Sequence, residues 1–113
     1  MATSIVNANA VITALSANVT LVRIGNLRIL ILHYYTYGTT INIPIADRPL
    51  TNSAGTGVKF ASNASYVEPL RVTVETNGNV EFQAYNQLNS GSSGFHNITN
   101  GDIVDAIVMW TNE

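Results

Sequence analysis

Between Leu27 and Tyr37 the chain reads LRILILHYYTY, a run that is apolar on both faces when laid out as a β-strand. Leu27, Ile29 and Ile31 share one face; Leu30, Leu32 and Tyr34 share the other, and Arg28 is the one charge. Strands of a small antiparallel domain usually bury one face and wet the other, so apolar and polar residues alternate along them. A strand greasy on both sides needs a second surface to cover it. In a chain of 113 residues, that second surface is expected to be another copy of the chain. The run Asp102–Trp110 repeats the pattern, with Ile103, Ile107 and Met109 on one face and Val104, Ala106, Val108 and Trp110 on the other.

The length suits one domain with a single core. Charged residues are 11% of the chain, against about a quarter in an average globular protein. Asn, Thr and Ser take their place, a composition closer to β-rich extracellular, capsid or adhesive proteins than to cytosolic enzymes. Five basic residues, Arg23, Arg28, Arg48, Lys59 and Arg71, are scattered rather than clustered, and the net charge is −2. No phosphate-tracking stripe follows from that, so nucleic acid is not an expected partner. There is no cysteine, hence no disulfide, thiolate metal site or cysteine nucleophile. No stretch reaches the ~18 apolar residues of a membrane helix, and membrane insertion is not expected. The N-terminus lacks the basic flank of a signal peptide. Asn18, Asn63 and Asn97 begin Asn-x-Ser/Thr triplets, which chance explains in a chain this rich in those residues.

Turn chemistry divides the chain into strands. Leu70–Thr76 and Asn79–Tyr85 flank Asn77-Gly78, a pair suited to a two-residue type I′ hairpin. Val19–Ile24 and Leu27–Tyr37 flank Gly25-Asn26, where a leading glycine suits type II′. Pro44 and Pro49 bracket a turn through Asp47-Arg48. Residues 52–57 read as a loop, 57–61 as a short strand, and 86–101 as a long Asn/Ser/Gly loop. Residues 1–17 are expected as an extended arm, attachment segment or first strand, and 18–113 as the folded head. Short strands at this spacing, with no helical crossover, predict an all-β antiparallel barrel or jelly-roll-like sandwich.

Catalytic patterns are missing. No serine stands in a nucleophile elbow, and Asp102 and Asp105, three apart on a strand, point to opposite faces and cannot act as a carboxylate pair. His33 and His96 are far apart, with no clustered metal ligands beside them. The chain is therefore not expected to be an enzyme, nor to carry a metal or cofactor. Its tyrosines (34, 35, 37, 66 and 85), Trp110 and its polar loops are instead the mixture that binds sugars, with rings against C–H faces and amides or carboxylates against hydroxyls. Tyr34 and Tyr35 read as core or interface residues. Tyr66 serves as well for ligand contact as for plain surface, and His96 lies exposed in a polar loop.

The order of motifs is more specific than any one of them: Val22-Arg23-Ile24-Gly25-Asn26 into an apolar strand, Ile43-Pro44 with Arg48-Pro49, then Val72-Thr73-Val74-Glu75-Thr76-Asn77-Gly78-Asn79-Val80. From Val19 to Trp110 the chain resembles the C-terminal head domains of tail-fibre and baseplate receptor-binding proteins from phages of Gram-positive bacteria. The resemblance implies a homotrimer of β-barrel heads on the virion, carried by other tail or baseplate proteins and docking on host cell-wall saccharide. By position it implies a ligand site around Tyr66, Glu68 and Arg71, to which His96 is added. The trimer interface is expected at Leu30, Leu32 and Tyr34. The alternatives are a structural fibre or baseplate component without ligand, or a lectin-like domain from outside phages.

Overall fold

The computed structural model describes residues 9–38, 40–61, 67–86 and 94–112. Among them every regular element is a strand, apart from one 3-10 turn at Ile45–Asp47. The strands are β1 (Ala10–Ser16), β2 (Val19–Ile24), β3 (Leu27–Thr36), β4 (Ser53–Phe60), β5 (Val67–Val74), β6 (Val80–Asn86), β7 (Gly94–Asn97) and β8 (Ile103–Thr111). They form one eight-stranded sheet in the order β1-β2-β3-β8-β4-β5-β6-β7, antiparallel at every junction. The expected all-β antiparallel class is the one the chain adopts.

One face of this sheet holds the core. Val19 and Leu21 of β2, Leu30 and Leu32 of β3, Val104, Val108 and Trp110 of β8, Leu70, Val72 and Val74 of β5, and Phe82 and Ala84 of β6 make one buried cluster. β4 gives this cluster little of its apolar content. Its inward positions are Ser53, Gly55, Gly57 and Lys59, with no apolar side chain among them. A Cβ on Gly55 would meet the Ile107 carbonyl oxygen and Val108 Cα, and one on Gly57 the Asp105 carbonyl oxygen and Ala106. Glycine at these two positions lets β4 lie against β8 with no room for a side chain between them. Residues 52–57, expected as a loop, are strand from 53 onward for this reason.

Other local expectations change in detail. Residues 94–97, placed in a long loop by composition, pair with β6 as β7. Residues 10–16 of the expected arm are β1, hydrogen-bonded along β2; residues 1–8 lie outside the described part. At Asn77-Gly78 the Glu75 carbonyl accepts from Gly78 N–H, and Glu75 N–H donates to the Asn79 carbonyl. That is a three-residue turn with Gly78 left-handed at φ 92, a glycine bulge rather than a two-residue I′ turn. At Gly25-Asn26, Gly25 has φ 57 and is the one of the pair in the left-handed region, as type II′ requires. Pro69 lies within β5, and pairing with β6 stops beside it at Leu70↔Ala84, because proline has no N–H to give.

The largest revision is in β3. Leu30 and Leu32, expected at a trimer interface, are 0% and 2% exposed inside the chain's own core. Leu32 pairs with Ala106 and Tyr35 with Val104, which leaves His33 and Tyr34 together opposite Asp105. This bulge reverses the alternation. Tyr35 goes into the core and Tyr34 comes out, half-exposed. The open face of the strand is the one carrying Leu27, Ile29 and Ile31.

Candidate functional site

Two of the four expected ligand residues meet, Glu68 from below the surface and His96 from an exposed position. Lys59 and Glu68 are directly paired across β4 and β5 on the inward side. Lys59 Nζ lies 3.2 Å from Glu68 Oε1 and 3.1 Å from Asp102 Oδ2, and all three residues are buried. His96 Nε2 approaches Glu68 Oε1 to 3.5 Å from the partly open side. Thr99 N–H caps Asp102 Oδ2 at 3.0 Å. Burial pulls the Lys59 pKa down, but hydrogen bonds and charge from Asp102 and Glu68 outweigh it and hold the amine above its ordinary value. A buried cation shared by two carboxylates fastens β4, β5 and the 99–102 turn at the end of the core. That is a structural clamp. Glu68 Oε1 is buried between Lys59 and His96.

The other two expected residues do not join it. Arg71, three positions from Glu68 on β5, is on the opposite, outward face beside Tyr85, Pro69 and Thr56. Tyr66 lies outside the described residues. Asp102 and Asp105 separate as their spacing requires: Asp102 turns in to Lys59 and Asp105 turns out.

A second charged cluster fixes the fold. Asp47, 3% exposed, takes a two-point contact from Arg23 (Nε 2.7 Å, Nη2 2.8 Å) and a third bond from Arg28 Nε at 2.7 Å. Trp110 Nε1–H donates to the Asp47 carbonyl at 2.7 Å, and Asn112 reaches the Ala46 carbonyl. The 3-10 turn is thereby pinned over the end of β2, β3 and β8. The hydrogen bond from Arg23 is the largest cause holding the Asp47 carboxyl below its usual range, against an opposing burial effect and with help from Arg28. Arg28, the lone charge of the two-faced strand, is thus an inward residue with an assigned partner.

The constellation open to solvent is the β3 bulge. Tyr34 has φ 54, an uncommon backbone for a bulky side chain. It is held there from two sides. Tyr34 N–H donates to Asp105 Oδ1 at 2.7 Å, and its carbonyl accepts from Asn18 Nδ2 at 2.8 Å. His33 N–H donates to the Asn18 carbonyl at 3.1 Å, and Asn18 is itself left-handed at φ 65. The rings of His33 and Tyr34 stand 4.9 Å apart, and Phe60 meets Tyr34 edge-on at 5.8 Å. The His33 side chain is 76% exposed and that of Asp105 36%. Tyr34 was expected at an interface and Asp105 was set aside; the one signal in the sequence was the doublet Tyr34-Tyr35, where strict alternation has to fail.

A polar groove of about 260 Å³ lies elsewhere, between Tyr37, Thr40 and Asn100 on one side and Asn79, Glu81 and Phe82 on the other. No cluster of three His, Cys, Asp or Glu side chains able to hold a metal occurs among the described residues. No family model, curated protein or solved structure matches this chain.

Proposed function

We propose that this chain is the receptor-binding head of a phage tail fibre or baseplate, a homotrimer that adsorbs to saccharide of the host cell wall. We read the sheet as a jelly-roll-like sandwich in which assembly covers the outer face of one half. The observation that carries this reading is that outer face.

Registered pairing sets Ile12, Val22, Ile29 and Met109 in one row across β1, β2, β3 and β8, and Ala14, Thr20, Ile31 and Ile107 in the next. Ile12 is 70% exposed, Met109 60% and Ile107 51%. Asp105, at one end, is the sole charged residue on the outward face of these four strands. The apolar area is on the order of 500 Å², near the top of what monomers expose. Burying such side chains is worth ~1.5–3 kcal/mol each. A second copy is the occupant that fits. Apart from Asp105 the patch presents no charge to select a charged partner, and β1, the edge strand among the described residues, is built from AVITALS, which lacks the lysines and prolines that guard lone edges.

Trimeric display also suits a weak saccharide site, because linked copies multiply avidity. The test has two arms. Sedimentation at micromolar concentration is expected to give a trimer, and a well-behaved monomer contradicts the reading. Adsorption of the labelled protein to cells is expected to follow host strain; a trimer that adsorbs to no strain is a structural virion component instead.

A further inference from the structure

We infer that the β3 bulge is the ligand site of this head and that it takes an uncharged saccharide rather than a phosphate-bearing wall polymer. The inference rests on the saccharide-binding reading above and locates it at His33, Tyr34, Phe60 and Asp105.

Three observations converge on it. First, the backbone at the bulge adopts an uncommon conformation at an outward residue. Tyr34 is left-handed and half-exposed, while its neighbour Tyr35 fills the core. Strain of this kind persists only when surrounding contacts impose it, and here Asp105 and Asn18 do. Second, those contacts satisfy the backbone of the bulge and leave side-chain groups over. Asp105 Oδ2 and the Tyr34 hydroxyl have no partner among the described residues. Third, the surroundings are amphipathic. A hollow of about 660 Å³ runs from His33 and Asp105 toward Thr56, Ile107 and Met109. His33 and Asp105 make its polar end, beyond the apolar residues Ile31, Ile107 and Met109.

A pyranose matches this chemistry: its C–H face lies against a ring, and its hydroxyls reach a carboxylate, an imidazole and a phenol. A phosphate does not. Asp105 is negative, and the cations are committed elsewhere. Arg23 and Arg28 hold Asp47, Lys59 holds Glu68 and Asp102, and Arg48 Nε donates to the Ile43 carbonyl. Arg71 is on the outward face of β5, in the other half of the sheet.

The experiment is an amide-shift titration of the intact, isotope-labelled protein. The probes are glucose, galactose and N-acetylglucosamine, with a glycerol-phosphate polymer run separately. At least one sugar is expected to shift His33, Tyr34 and Asp105, and the polymer is expected to leave them unmoved. Asp105→Asn keeps an acceptor for Tyr34 N–H, and Tyr34→Gly suits the left-handed backbone, so both variants keep the fold. Each is expected to weaken sugar binding about tenfold, the loss of one charge-assisted bond or one ring contact. Shifts that map elsewhere, no response to any of the sugars, or polymer binding at the bulge would each overturn the assignment. Host-strain adsorption that survives both variants overturns the site and leaves the function standing; wild-type protein that adsorbs to no strain removes the function itself.

Discussion

Asp47 anchors two guanidiniums from a position almost sealed from water, and Arg28 beside it is nearly as deep. Removing the carboxylate strands a buried cation, so Asp47→Asn is expected to cost about 3–5 kcal/mol in denaturant unfolding. The folded-state pKa of Asp47 is depressed, which fixes the sign of the acid response. Its contribution is complete above about pH 4, where an unfolded aspartate ionises, and is lost as pH falls through the lower folded value. Stability of the Asn variant is expected to change less with pH over that acid range than the parent's; an equal slope would place the acid sensitivity elsewhere. At Tyr34 the comparison is between two truncations. Tyr34→Gly is expected to be more stable than Tyr34→Ala by about 1 kcal/mol, because only glycine accepts φ 54 freely. Little of this was legible beforehand. Arg28 stood out as the only charge in its strand, but nothing in the spacing named Asp47, nineteen residues on, as its partner. Glu68 faces a buried lysine across β4 and β5, and His96 comes in beside Glu68, neither of which the spacing of these residues announces.

At the scale of elements, β4 shows how glycine can specify a sheet instead of interrupting it. Gly55 and Gly57 read as loop because glycine is usually depleted in strands. They are in the ladder because β8 passes where a Cβ would have to be. Gly57→Ala is expected to destabilise the fold by about 1–3 kcal/mol through overpacking against β8, measured by thermal or denaturant unfolding. An unchanged midpoint would mean that the two strands do not require this close approach. Strands β2, β5, β6 and β8 were readable within a few residues; which of the two apolar faces of β8 turns inward was not. The Asn77-Gly78 turn was placed correctly and its type was not. A two-residue turn would have set Val74 opposite Glu81; the extra residue sets it opposite Val80. The β3 bulge had the same effect in reverse, exchanging Tyr34 and Tyr35 without changing the composition of the strand.

For the whole molecule, the two-faced strand resolves into one buried side and one open side. The inward set, Leu30, Leu32 and Tyr35, belongs to the core. The outward set, Leu27, Ile29 and Ile31, continues into Ile12, Val22, Ile107 and Met109 as an apolar sheet surface. That both faces of the strand are apolar was evident from LRILILHYYTY; which of them turns inward was not, and the bulge at His33-Tyr34 exchanges the faces partway along it. The most direct measurement is sedimentation equilibrium of the parent protein and of Met109→Lys, a change at a side chain already 60% exposed and therefore compatible with the folded chain. The account predicts three times the 12.1 kDa chain mass for the parent and a folded monomer for the variant. A monomeric parent, or a variant that assembles as the parent does, would contradict it.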